Sequence, residues 1–137
     1  LTALIHAALP HMAAGGRVVT LASAAAFTPQ PRFAVYAATK AYVLSLSRAL
    51  GEELRPCGIS VTAVCPGPVR TGFFSVAEQT GCMKAAKERM MITPDRVARA
   101  AYRAAKRGRS VCIPTPLMRA AHIVAKLLPH RWLMKFF

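Results

Sequence analysis

Tyr36 and Lys40 are the residues of this chain that point most directly to chemistry, because they lie four positions apart in a helix-forming segment. Residues at this spacing project from one face of a helix, one turn apart. A phenol is almost fully protonated at neutral pH, and a neighbouring ammonium group stabilises its anion, which makes tyrosine usable as an acid and a base. The same pair can also simply cover a helix surface, so other residues must decide between the two interpretations.

Ser23 is the first of these other residues, thirteen positions before Tyr36. It follows Arg17–Ala22, a β-branched and apolar run that is typical of a parallel strand covered on both faces. Ligands of open α/β sheets bind at the carboxyl ends of the strands. A serine hydroxyl at such an end could hold a carbonyl or hydroxyl oxygen against the phenol.

The sequence around these residues predicts a strand–helix–strand unit. Leu1–Met12 indicates the end of a helix that the following glycine pair terminates. A second helix is predicted over Tyr36–Leu54, ending before a proline, and Ile59–Cys65 predicts the second strand. Such a unit joins neighbouring parallel strands through a right-handed crossover.

The rest of the chain predicts two more helices and one more strand. Pro94 opens a helix that extends to about Lys106, with a threonine before it as the cap. Ser110–Pro114 predicts a third strand, and Leu117–Phe137 predicts an apolar helix broken at Pro129. Alternating helices and apolar strands indicate the α/β class, here the C-terminal part of a doubly wound parallel sheet.

Taken together, these residues resemble the pattern of the classical short-chain dehydrogenases/reductases: a serine, a Tyr-x-x-x-Lys motif, a Pro-Gly turn and a following threonine. The matching positions are Ser23, Tyr36, Lys40, Pro66, Gly67 and Thr71. The resemblance implies a Rossmann-type fold and an oxidoreductase that uses NADP or NAD. It also implies that Tyr36 exchanges the proton, that Lys40 assists it, and that Ser23 orients the substrate oxygen.

The resemblance also implies the cofactor contacts. Lys40 would bind the nicotinamide ribose beside Tyr36, and the turn would line the nicotinamide through Pro66, Gly67, Val69 and Thr71. For Thr71 the alternative is a local bond between its side chain and the backbone of the turn.

Two parts of the family's pattern do not occur in this sequence. The Gly-rich turn that binds the pyrophosphate is absent, and the catalytic asparagine would precede Leu1. We therefore expect residues 1–137 to be a partial NAD(P)-binding domain with a C-terminal apolar and basic tail over residues 115–137, and we expect this fragment to be inactive alone.

Aromatic residues near the motif are candidate substrate contacts. The segments that border the substrate in this family contain Phe27, Phe33, Phe73 and Phe74, which implies a small apolar ketone, aldehyde or alcohol as the substrate. Ordinary packing explains any one of these side chains equally well.

The charge of the chain is strongly positive and unevenly distributed. Residues 1–69 contain five Lys or Arg and two acids, giving +3, and residues 70–137 contain fourteen and three, giving +11. The basic residues are scattered along helices without a nucleic-acid motif, so we expect a solvated surface and no nucleic-acid partner. Neither the cysteines nor the histidines have metal-ligand spacing, the histidines are expected at the surface, and the thiols indicate a reducing, cytoplasmic compartment.

Two other interpretations compete with a catalytic one. The chain could be a non-catalytic Rossmann remnant that acts as a basic interaction or membrane-surface module. Its C-terminal tail, with Trp132, Arg131 and Lys135, suits peripheral contact with a membrane, although we favour a helix that covers the substrate cleft or contacts another subunit of a homo-oligomer.

Overall fold

A computed structural model describes residues 1–72 and 90–134, and its centre is a parallel β-sheet. Within these residues the sheet has three strands in the order β1 (Arg17–Leu21), β2 (Ser60–Val64) and β3 (Val111–Cys112). β1 pairs with β2 along its full length, and β3 pairs with the last two residues of β2. The predicted α/β class with parallel strands is therefore confirmed.

Helices connect and cover the strands. The five α-helices of the described residues are α1 (Thr2–Ala8), α2 (Ala34–Glu53), α3 (Pro94–Lys106), α4 (Pro116–Leu127) and α5 (His130–Leu133). Short 3-10 helices occupy Leu9–His11, Ala24–Phe27 and Arg55–Cys57. None of the described helices combines the length and apolar character that crossing a bilayer requires.

β2 is buried because helices pack on both of its faces. Successive side chains of a strand point to opposite faces. Accordingly, Ala63 packs in one cluster with Leu44 of α2, whereas Val64 packs in a second cluster with Val97 of α3. The second strand predicted over Ile59–Cys65 corresponds to β2. For β1 the apolar run predicted cover on both faces, and within the described residues that prediction is wrong, because Thr20 is buried on one face whereas Val19 and Leu21 on the other are 46% and 63% exposed.

A buried pair of hydroxyl groups fixes α2 against β1. The Ser47 hydroxyl donates to the Val43 carbonyl oxygen at 2.6 Å, so the Thr20 hydroxyl donates to Ser47 Oγ across 2.7 Å. Thr20 and Ser47 are at most 2% exposed. Each hydroxyl thereby has a partner, which offsets the cost of removing it from water.

The buried cysteines behave as small apolar residues. Burial raises the pKa of the Cys65 thiol to about 12, with a smaller contribution from Cys112. Burial also raises the pKa of Cys112. Both thiols stay protonated at neutral pH and belong to the core rather than to a reactive site.

Several boundaries differ from the prediction. α2 begins at Ala34, two residues before Tyr36, and the first helix changes to a 3-10 turn at Leu9–His11, where Pro10 removes a backbone donor. β3 is limited to Val111–Cys112 because it pairs only with the end of β2. In the tail, α4 already ends at Leu127.

Candidate active site

Ser23 lies just beyond the carboxyl end of β1 and caps the 3-10 helix Ala24–Phe27. Its Oγ accepts a 3.1 Å hydrogen bond from the Ala25 backbone N–H. This bond fixes the side chain at the sheet edge. It uses an oxygen lone pair, so the hydroxyl hydrogen remains a donor for a second oxygen.

Lys40 reaches the same edge from α2. Its ammonium group donates a 2.9 Å hydrogen bond to the carbonyl oxygen of Leu21, the last residue of β1. The ammonium nitrogen lies 5.7 Å from the centroid of the Tyr36 ring. The predicted pair therefore shares one helix face, with the cation held between the tyrosine and the strand.

Tyr36 lies in the first turn of α2, because this helix begins at Ala34. Its half-buried ring meets the Phe33 ring edge-on, with the centroids 6.0 Å apart. The N-terminal end of a helix dipole favours negative charge, and no acidic side chain occupies this first turn. The Tyr36 ring therefore lies near both the start of α2 and the Lys40 ammonium group. The sequence did not predict that α2 begins before Tyr36.

The Pro-Gly turn is joined directly to the segment that carries Ser23. The Ala24 backbone N–H donates a 2.8 Å hydrogen bond to the Pro66 carbonyl oxygen. Beyond the turn, Val69 forms a parallel β-bridge with Ile92. The Ile92 N–H donates to the Pro68 carbonyl oxygen, and the Arg70 N–H donates to the Ile92 carbonyl oxygen. Pro66 and Gly67 therefore lie at the edge where Ser23 and Lys40 also lie, whereas Val69 packs against the cluster that contains Val64 and Val97.

Thr71 makes the local bond that was the alternative to a cofactor contact. Its hydroxyl donates to the Val69 carbonyl oxygen over 3.5 Å, a long distance for a hydrogen bond. Its cofactor contact stays a prediction.

Helix α4 packs on this turn, which the sequence did not reveal. A Cβ atom added to Gly67 would lie 2.9 Å from both Cγ and Sδ of Met118. Further along α4, the His122 ring packs against Phe27 with the centroids 4.0 Å apart and the ring planes tilted by 40°. His122 was expected at the surface and is half-buried; its Nδ1 atom is buried and has no hydrogen-bond partner within residues 1–72 and 90–134.

The structure places the two described candidate substrate contacts, Phe27 and Phe33, in different surroundings. Phe33 touches Tyr36, whereas Phe27 contacts His122 and lines a cavity of about 480 Å³. That cavity adjoins the alanine face of α2 and contains none of the three predicted catalytic residues; its lining is Ala26, Phe27, Thr28, Pro29, Gln30, Pro31, Ala34, Ala37, Ala38, Ala41 and Met134. Phe73 and Phe74 lie outside the described residues.

Comparison with known proteins identifies the family. Residues 1–112 match the family model described as enoyl-(acyl carrier protein) reductase. A short-chain type dehydrogenase/reductase of Picea abies is 37% identical over 71 residues, which are 52% of this chain and 26% of that protein. The chain belongs to the short-chain dehydrogenase/reductase family. An uncharacterised oxidoreductase of Escherichia coli (strain K12) is 38% identical over 77 residues, 56% of this chain and 26% of its own length.

Solved structures share the fold of this chain. A short-chain dehydrogenase from Sphingobium yanoikuyae in complex with NADPH is 33% identical, with a TM-score of 0.64 over 89% of this chain and 46% of that structure. An angucycline C-6 ketoreductase with bound NADP is 20% identical with a TM-score of 0.65, covering 80% of this chain and 46% of its own, and shows the fold alone. The short-chain dehydrogenase/reductase chain described here thus spans about half the length of these structures and about a quarter of the curated relatives.

Proposed function

We propose that the protein containing this chain is an NAD(P)-dependent oxidoreductase that interconverts a small apolar ketone or aldehyde and the corresponding alcohol. The observation that carries the proposal is that two hydrogen bonds bring three segments together at one edge of the sheet. The Lys40–Leu21 bond holds α2 there, and the Ala24–Pro66 bond joins the segment that follows Ser23 to the Pro-Gly turn. That edge is where open α/β sheets bind ligands.

The side chains at this edge suit proton transfer to a carbonyl oxygen. In the reduction, the Ser23 hydroxyl donates a hydrogen bond to the substrate oxygen, and the Tyr36 phenol gives its proton to that oxygen as the alcohol forms. In the oxidation, the Tyr36 phenolate takes the alcohol proton back. The Lys40 cation near the ring stabilises the phenolate in both directions.

The donors at the edge also suit a nicotinamide cofactor. An ammonium group has three N–H donors, and Lys40 uses one on Leu21, which leaves donors for the ribose hydroxyls. Pro66, Gly67, Val69 and Thr71 would line the nicotinamide. When bound, NADP or NAD supplies or accepts the hydride. The NADPH in the Sphingobium yanoikuyae structure supports this assignment.

The proposal also covers the cellular compartment of the enzyme and the polarity of its substrate. Cys57, Cys65 and Cys112 are free thiols, which supports a reducing compartment such as the cytoplasm. The apolar aromatic Phe33 against Tyr36 supports an apolar substrate.

The test is turnover by the natural polypeptide that contains this sequence. It should be assayed with NADPH and NADH against a panel of apolar ketones and aldehydes, and with the oxidised cofactors against secondary alcohols. Tyr36→Phe should lower kcat about 10²- to 10⁴-fold, the usual contribution of a general acid. Tyr102→Phe, at an exposed tyrosine of α3, is the matched control and should leave kcat unchanged. Undiminished turnover by Tyr36→Phe would overturn the mechanism.

A further inference from the structure

Helix α4 presents two different faces. Its inner face packs against the molecule: Met118 meets Gly67, His122 packs against Phe27, and Ala125 is buried. Its outer face is also apolar. The large exposed side chains on that face are Leu117 (54% exposed), Ile123 (58%), Val124 (45%) and Leu127 (77%).

An exposed apolar helix face is a candidate interaction surface. Surface helices of globular proteins normally turn charged and polar residues to water, and contiguous apolar patches mark interaction sites. On α4 the basic residues Arg119 and Lys126 lie along one border of the apolar face instead of at its centre. Arg119 also donates to the Ile113 carbonyl oxygen at 3.0 Å, which fixes that border.

The same character continues into α5. Trp132 is 55% exposed, and Arg131 beside it is exposed as well. Tryptophan is favoured at the boundary between lipid and water, where its ring is buried and its N–H is hydrated. We define the tail surface by exposed side chains of α4 and α5: Leu117, Ile123, Val124, Lys126, Leu127, Arg131 and Trp132.

The charge around the tail surface has one sign. Residues 96–137 contain ten Lys or Arg and no Asp or Glu. The family match ends at residue 112, so the tail surface lies outside the part of the chain that the match explains.

We propose that the tail surface docks on an anionic phospholipid membrane, with α4 lying in the plane of the headgroups. Its apolar face would enter the boundary region by about 5–10 Å, while Lys126 and Arg131 face the phosphates. A positive field without acids attracts anionic lipid and repels the same surface of a second copy of the chain. The proposal stands on the tail alone and does not depend on the proposed function.

Flotation of the natural polypeptide with vesicles gives the main readout, and Trp132, the single tryptophan of residues 1–137, gives a second readout at the tail surface itself. Vesicles of phosphatidylcholine with about a third phosphatidylserine should shift its emission to the blue and carry the protein upward in flotation. Binding to pure phosphatidylcholine should be at least about tenfold weaker, and Lys126→Gln should weaken binding to the anionic vesicles about fivefold.

The apolar face is tested by the double variant Ile123→Ser/Leu127→Ser, which should weaken binding to anionic vesicles by about tenfold or more. Val35→Ser is the matched control, since Val35 is 79% exposed on α2, and it should bind like the wild type. Circular dichroism verifies that each variant is folded. Equal binding by the double variant and the wild type would overturn the proposal, as would equal binding to both vesicle types. Self-association through the tail surface without lipid binding would instead identify a second copy as the occupant.

Discussion

The Lys40 ammonium nitrogen lies 5.7 Å from the centroid of the Tyr36 ring while it donates to the last carbonyl oxygen of β1. This bond ties the cation to the sheet, so its position does not depend on the long flexible side chain alone. Lys40 thus connects the helix that carries the phenol to the strand that leads into Ser23.

Replacing Lys40 should slow the reaction. In Lys40→Met the site loses the cation near the Tyr36 ring and the hydrogen bond to the Leu21 carbonyl oxygen, so kcat should fall about 10²-fold or more. Steady-state kinetics of the natural polypeptide measures the loss, and Lys40→Arg, which keeps the charge, should lose less. An unchanged kcat in Lys40→Met would show that Lys40 takes no part in the reaction.

The contact between Gly67 and Met118 should appear as an energetic coupling. A Cβ atom at position 67 would lie 2.9 Å from Met118 Cγ and Sδ, so in Gly67→Ala the Met118 side chain or helix α4 must shift. Overpacking of this kind costs about 1–3 kcal/mol of unfolding free energy. In the background of Met118→Ala the same change should cost less, because the space is open. Urea unfolding of the four proteins measures the coupling, and additive effects would contradict the contact.

Local patterns predicted most of the framework. The apolar run Ile59–Cys65 predicted the second strand, which the structure has at Ser60–Val64. Thr93 and Pro94 predicted the start of α3, where the Thr93 side chain accepts from the Arg96 N–H. These features are set by neighbours in sequence, which is why the sequence reveals them.

Contacts between distant segments could not be predicted in this way. The burial of His122 depends on how α4 meets Phe27, ninety-five positions earlier in the chain. The Ala24–Pro66 bond and the Met118–Gly67 contact likewise join segments that the sequence does not relate. The start of α2 at Ala34 was missed because the residue before it, Phe33, offers no side-chain cap that a pattern could detect.

The half-buried His122 should make the fold less stable in mild acid. Desolvation, with Lys126 and Arg48 nearby, lowers the pKa of this histidine in the folded chain. As the pH falls through the ordinary histidine pKa of about 6.5, the unfolded chain takes up the proton first, so unfolding becomes more favourable until the folded pKa is passed.

His122→Phe keeps the ring on Phe27 and should reduce the loss of stability between neutral pH and the acid side. Urea unfolding across this range measures it, with His11→Gln, at an exposed histidine, as the control. An equal loss in wild type and His122→Phe would assign the effect to other groups.

The outer edge of β1 should cause copies of the chain to associate. Within the described residues β1 pairs with β2 on one side only, and Val19 and Leu21 are 46% and 63% exposed, so unpaired backbone groups lie beside apolar side chains. Such edges pair with other chains unless a charge blocks them. β1 lies in the half of the chain that carries a charge of only +3, and at physiological salt repulsion is screened beyond about 8 Å.

Light scattering during size-exclusion chromatography should therefore show a mass that rises with protein concentration and with salt. Val19→Lys should return the chain toward the monomer, whereas Val35→Lys, which adds the same charge on the exposed surface of α2, should not. If both variants associate like the wild type, the β1 edge is not where copies meet, and if both dissociate equally, added charge rather than the strand edge governs association.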